Sequence, residues 1–301
     1  MNAATSASTG AITRRSVLLS LFALPLLGAC AKFSSTSGRS VFTDQLAQLE
    51  AESGGRLGVF ALNTASGSTL SHRPDERFPM CSTFKLMLAA AVLKRAETEP
   101  DLMERVIPVE PGDLLKWAPA AKERVGKGMT VTELCSAAMQ VSDNTAANLL
   151  LRLLGGPEAL TAFARSIGDE AFRLDRWEPE LNTAIPGDPR DTTTPAAMAR
   201  SLERLALGDA LAPAQRGLLL RWLEGNATGA GKIRAGVPEG WRVGDKTGSG
   251  DYGTTNDVAV ILPPSGSPLI VAVYLTQPVR DAAYRIDALA SAARIAVLAL
   301  R

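Results

Sequence analysis

Two kinds of hydrophobic periodicity are segregated along this chain, and their order leaves few folds open. Residues 56–63 form an apolar run that includes Val59 and Phe60; T-A-S-G follows as a turn and residues 68–72 return, which predicts a β-hairpin. Residues 82–224 instead show helical periodicity rich in Ala and Leu, broken by loops of Gly, Pro and Asp. Strand patterns reappear at 241–247, 255–262 and 269–276, separated by S-G-D-Y-G and P-P-S-G-S-P turns. At the two ends, Phe42, Leu46 and Leu49 mark the apolar face of a first helix that stops at Ser53-Gly54-Gly55. Ile286, Leu289, Ala290, Ala293, Ile295 and Leu298 mark that of a last helix. Helices and half-buried strands must cover one another. The expected fold is therefore α/β: an antiparallel five-stranded sheet made from both ends of the chain, flanked by the N- and C-terminal helices, plus an all-helical domain. The boundaries expected are 41–75 with 225–301 for the discontinuous α/β domain and 76–224 for the helical one.

With 301 residues, 46% hydrophobic and 21% charged, the chain is long enough to bury a sizeable core. Thirty-two basic against 31 acidic residues leave a formal charge of +1, which removes the electrostatic case for nucleic acid as a partner. The single histidine, His72, restricts catalysis, because zinc hydrolases and Ser-His-Asp triads both lean on imidazole. Three cysteines without C-x-x-C spacing make neither a disulfide scaffold nor a zinc site, so no metal and no cofactor is expected.

Residues 14–30, R-R-S-V-L-L-S-L-F-A-L-P-L-L-G-A-C, combine a basic start with an apolar run too short for a comfortable transmembrane helix and small residues before a cysteine. This reads as an export signal over 1–29. Thr13, Arg14 and Arg15 resemble the start of a twin-arginine signal, and Leu27-Gly28-Ala29-Cys30 resembles a bacterial lipobox, in which Cys30 is acylated after cleavage and anchors the protein to the membrane. Loss of residues 1–29 removes Arg14 and Arg15 and no acidic residue, leaving a nearly neutral mature chain. The small polar residues that follow, to position 40, predict a flexible tether at 30–40, with the folded body starting near Val41.

Three short motifs carry chemistry. Ser82-Thr83-Phe84-Lys85 opens an apolar helix, and a spacing of three puts Ser82 and Lys85 one turn apart on the same side. An amine there can take or relay the serine proton while the helix N-terminus favours developing negative charge, which makes a nucleophile without histidine. Ser142-Asp143-Asn144 lies at a helix boundary, where the same residues are also good capping chemistry. Lys246-Thr247-Gly248 ends an apolar strand, where lysine and threonine on an exposed edge can bind a carboxylate against open backbone. Each motif alone equals an ordinary cap or a solvated surface; their order across a helical domain and back onto a sheet removes the coincidence.

That set resembles the class A β-lactamases and penicillin-binding proteins. R-L-D-R-W-E-P-E-L-N at 173–182, D-T-T-T-P at 191–195 and K-T-G-S-G-D-Y-G-T-T-N-D at 246–257 extend the likeness to class A β-lactamases over essentially the whole mature chain, nearest to the chromosomal, lipoprotein-type enzymes of Gram-negative bacteria. The resemblance implies a periplasmic, monomeric serine β-lactamase acting on small β-lactam substrates, with Ser82 as nucleophile, Lys85 as its proton relay and Glu178 as the base for deacylation. Whether Lys85 or Glu178 activates Ser82 in acylation stays open. Ser142 would pass a proton to the leaving nitrogen with Lys246 nearby, and the backbone N–H groups of Ser82 and Ser249 would form the oxyanion hole. Asn144 would contact the substrate amide and Asn182 would hold the hydrolytic water with Glu178. Thr247, Gly248 and Ser249 would hold the substrate carboxylate, and Trp117 would wall the mouth. Arg176 and Asp191 match the ion pair that closes the omega loop, residues 176–191, with Pro179, Pro186 and Pro189 restricting the backbone between them.

Departures from the family pattern are equally readable. Thr255 stands where many relatives carry an arginine for the carboxylate pocket, and Lys232 is expected to substitute. Cys81 precedes the nucleophile as in several relatives with a disulfide, but the partner position is Gly250; Cys135 has Ala89 opposite in the same sense. Both cysteines are therefore expected free and buried. A penicillin-binding peptidase is the competing enzyme, and Glu178 with Asn182 separates the two. A β-lactam sensor would need a spanning helix and a signalling module, and a purely structural lipoprotein would need every motif to be accidental.

Overall fold

The computed structural model describes residues 36–301, which form one compact unit. The export signal, the lipobox with Cys30 and most of the tether lie outside the described residues. Helix α1 spans Thr36–Ser53, so residues 36–40, expected as part of the tether, are helical and the body begins earlier than Val41. Strands β1 (Arg56–Asn63) and β2 (Thr69–His72) make the predicted hairpin. Seven helices follow: α2 (Phe84–Ala96), α3 (Val131–Gln140), α4 (Asn144–Leu154), α5 (Pro157–Ser166), α6 (Pro195–Ala206), α7 (Pro213–Glu224) and the short α8 (Ile233–Gly236). Strands β3 (Arg242–Gly250), β4 (Thr254–Leu262) and β5 (Leu269–Thr276) then return to the sheet, and α9 (Ile286–Leu300) closes the chain. The sheet has the order β2-β1-β5-β4-β3, antiparallel throughout, as the segregated periodicities imply.

Period-two alternation sends the two faces of the sheet into different cores. Leu57, Val59, Ala61, Val271 and Val273 pack with Leu46 of α1 and Leu289, Ala293 and Ala296 of α9. Phe60, Leu62, Val258, Val260, Ile270 and Tyr274 instead join the core of the helical layer, with Phe84, Leu88, Leu150, Met198 and Leu202. One face of the sheet thus belongs to the helices, which is why the described residues form a single compact unit rather than two separable ones. Gly58 shows how closely the layers meet: a Cβ on it would lie 2.5 Å from the Phe78 ring. Among the described residues no helix is long and apolar enough to cross a membrane, and no cluster of His, Cys, Asp or Glu is arranged to hold a metal ion.

Candidate active site

Ser82 sits in a tight 3-10 turn, Cys81–Thr83, that runs directly into α2. Several bonds hold this turn. The Thr83 hydroxyl donates to the Met80 carbonyl (2.8 Å), and the Asn256 amide of β4 donates to the Pro79 and Met80 carbonyls (2.9 and 3.0 Å). Lys85, one turn along α2, is fully buried, and its Nζ donates to Ser82 Oγ (3.1 Å), Asn144 Oδ1 (2.6 Å) and the Ser142 carbonyl (2.9 Å), with Ser142 Oγ at 3.4 Å. Lys246 reaches Ser142 Oγ from the other side at 3.1 Å. Ser142 has a φ of 57°, and this left-handed residue turns the chain from α3 into α4, while Asp143 caps α4 by accepting from Ala146 N. The second oxygen of Asp143 accepts from Ala120 N and Ala121 N, both at 2.9 Å, tying the segment that carries Trp117 to the same turn. Trp117 is 56% exposed, with its indole N–H on the Val141 carbonyl (3.1 Å).

Glu178 reaches the same centre from the omega loop. Its carboxylate lies 3.0 Å from Lys85 Nζ and accepts from Ser82 Oγ at 3.4 Å, while Asn182 Nδ2 donates to its other oxygen. The loop is pinned at its ends: Asp191, fully buried, accepts from the backbone N–H of Asp175 (2.8 Å) and of Arg176 (2.9 Å) and from the Arg176 guanidinium (2.5 Å). Removing that carboxylate strands a guanidinium and two backbone donors, so Asp191→Ala is expected to lower stability by about 3 kcal/mol. Urea denaturation measures this, and a loss below about 1 kcal/mol would mean that the loop ends close without the ion pair.

Burial sets the proton chemistry. It lowers the pKa of Lys85, against the pull of the adjacent Glu178 carboxylate. It drives Lys246 well below the ordinary lysine value, with the charges of Lys85 and Lys232 adding to the effect. Lys246 and Thr247 were expected on an exposed strand edge; they are buried, because the helical layer covers the end of β3. Lys232 is 7% exposed, and its Nζ donates to the carbonyls of Gly248 (3.3 Å), beside Thr247, and of Asn256 (3.2 Å), beside Thr255. His72 pairs with Glu50 of α1 (2.9 Å) and has no part in the constellation.

Three residues at this centre escape sequence reasoning. Asn148 of α4 donates to the Glu178 carbonyl (2.8 Å) and accepts from its N–H (3.1 Å), so it fixes the backbone beneath the carboxylate. The signal was present: Asn148 lies one turn from Asn144, a polar residue opening an apolar L-L-L stretch. Thr228 shares a hydrogen bond with Thr247 (2.5 Å) and donates to Asn226 Oδ1 (2.7 Å), while Asn226 Nδ2 donates to the buried Asp245 (2.6 Å). Nothing local to Thr228 or Asn226 marks them. Cys81 and Cys135 are free and buried, and burial raises both thiol pKa values far above that of an ordinary cysteine. A Cβ on Gly250 would lie 2.7 Å from Cys81 Sγ, so the missing partner faces the thiol directly. Both thiols are expected to resist iodoacetamide until the chain is denatured. A non-reducing peptide map linking Cys81 to Cys135 would contradict this.

The β-lactamase enzyme family matches residues 41–300. A β-lactamase of Citrobacter koseri is 56% identical over 283 residues, covering 94% of this chain and 96% of that protein. β-Lactamase Toho-1 of Escherichia coli is 55% identical over 282 residues, with the same two coverages, 94% and 96%. Among solved structures, the β-lactamase of Desulfarculus baarsii superposes with a TM-score of 0.85 at 58% identity, over 85% of this chain and 96% of that one. With a family match over nearly all the described residues and relatives this similar along their whole length, the chain belongs to the class A serine β-lactamases.

Proposed function

We propose that this protein hydrolyses the lactam amide of penicillins and cephalosporins through an acyl-enzyme on Ser82, and so confers β-lactam resistance. The observation that carries this reading is the buried Glu178 carboxylate, within hydrogen-bond reach of Ser82 Oγ and Lys85 Nζ and gripped by Asn182. In acylation, Ser82 Oγ attacks the lactam carbonyl and loses its proton to Lys85 or to Glu178. The oxyanion falls to the backbone N–H groups of Ser82 and Ser249. The C–N bond then breaks, and the nitrogen takes a proton from Ser142, replenished from Lys246 or Lys85, both of which lie against its hydroxyl. In deacylation, Glu178 takes a proton from water, the hydroxide attacks the ester carbonyl, and Ser82 leaves with a proton to give the ring-opened acid. Thr247, Gly248 and Ser249 hold the substrate carboxylate; Asn144 and Trp117 contact the rest of the substrate.

Mixing the purified protein with a chromogenic cephalosporin, with intact-mass spectrometry alongside, tests the reading. Continuous colour without a lasting adduct is expected; one equivalent of colour with a permanent adduct would indicate a penicillin-binding peptidase. The Ser249-Gly250-Asp251 run resembles that of extended-spectrum relatives, and Gly250 seats β3 closely against the omega loop, where a Cβ would lie 2.5 Å from the Asn182 carbonyl. Cefotaxime turnover is therefore expected beside penicillin turnover, and brisk penicillin hydrolysis with none of cefotaxime would refute that extension.

Export by residues 1–29, lipidation of Cys30, a periplasmic location and a monomeric state belong to the same proposal. Mass spectrometry of the mature N-terminus from membrane fractions, with and without Cys30→Ser, tests the anchor.

A further inference from the structure

A second cleft, of about 700 Å³, opens behind the omega loop, and Ser82, Lys85, Ser142, Glu178 and Lys246 are all absent from its lining. One wall is loop, residues 184–189; the other is the end of the sheet, with Arg56, Arg77 and Thr276. The loop wall is apolar and open: Ile185 is 45% exposed, and Pro186 and Pro189 are exposed beside it. The opposite wall is cationic. Arg56 is engaged by Glu76 (3.0 Å), and Glu76 is shared with Arg73 (2.8 Å). Asp188 at the rim is bound by Arg190 (2.7 Å). Arg77 has no ion-pair partner among the described residues, and its Nη1 donates only to uncharged groups, the Ala171 carbonyl (2.7 Å) and Thr192 Oγ1 (3.1 Å). A guanidinium carries five N–H donors, so Arg77 keeps donors on Nε and Nη2 for an anion.

Concave sites with a largely apolar lining and one well-placed charge are built for small molecules. We propose that this cleft is a second ligand site, one that takes a small aromatic monocarboxylate with its carboxylate on Arg77 and its ring against Ile185, Pro186 and Pro189. Such a ligand would bridge the sheet end and the loop, and so brace the segment that follows Asn182. That segment follows Asn182, whose amide donates to Glu178, and it is tied to the pinned end of the loop, where Thr183 Oγ1 accepts from Arg176 Nη1 (2.9 Å).

The probe is 2-naphthoate, with the neutral isostere 2-naphthamide as its control, titrated into the whole protein and followed by amide NMR shifts and hydrogen exchange. Neither readout involves β-lactam turnover. Saturable shifts are expected at Gly54, Gly55, Ile185, Gly187 and Thr276, with slower exchange at Ile185 and Gly187. Binding should weaken by about ten-fold or more with naphthamide, or in Arg77→Gln, on loss of a charge-assisted bidentate contact. Ile185→Glu, at an exposed position, should abolish binding with the melting temperature unchanged, which covers the case in which Arg77→Gln fails to fold. Shifts centred on Trp117, Asn144 and Thr247, equal binding of acid and amide, unimpaired binding by Ile185→Glu, or no saturable shift at millimolar naphthoate would each overturn the proposal.

Discussion

Glu178→Gln is expected to turn this protein from a catalyst into a trap. The carboxamide keeps nearly the shape of the carboxylate and can still meet Asn182 and Lys85, but it cannot take a proton from water. Deacylation should fall by about 10²–10⁴-fold, the range supplied by a positioned general base. Acylation should suffer less, because Lys85, whose pKa is lowered by burial, lies 3.1 Å from Ser82 Oγ and offers a second route for its proton. A penicilloyl adduct on Ser82 should then persist for many wild-type turnover intervals, visible by intact-protein mass spectrometry. Clearance of the adduct at the wild-type rate would show that Glu178 is not the deacylation base, and the distinction from a penicillin-binding peptidase would fall with it.

Ser82→Ala should abolish turnover and leave the fold intact. Without Oγ no ester forms, and kcat/KM is expected to drop by about 10⁴-fold or more, as it does when the nucleophile of a covalent mechanism is removed. By sequence alone Ser82 also reads as an ordinary cap of α2; the cap position belongs to Thr83, which makes no side-chain cap bond. The hydroxyl lost is bonded to Lys85 and Glu178, which still pair with each other at 3.0 Å, so stability should change by no more than about 1 kcal/mol. Normal turnover by Ser82→Ala would exclude the assignment, and a collapsed melting transition would show that the hydroxyl holds the turn together.

The parts of the site legible from sequence are those with local signatures. Ser82 and Lys85 are one helical turn apart, and Asn144 follows a capping aspartate; such spacings read directly into geometry. Asn148, Thr228 and Asn226 were missed because their partners are distant in sequence: Asn148 meets Glu178 across 30 residues, and Thr228 meets Thr247 across 19.

The sheet assembled from both ends of the chain and the helical middle follow from periodicity, because strands alternate with period two and helices with period 3.6 whatever packs against them, whereas the candidate reactive side chains come from three short motifs and from the resemblance to class A β-lactamases. Burial and long-range approach are different. Ser82 and Glu178 are separated by 96 residues, and only the seating of the helical layer and the pinned omega loop on the sheet brings their oxygens within 3.4 Å. The same packing strips water from Lys85 and Lys246 and shifts their proton affinity, since desolvation depends on every neighbouring layer and on no local stretch of chain.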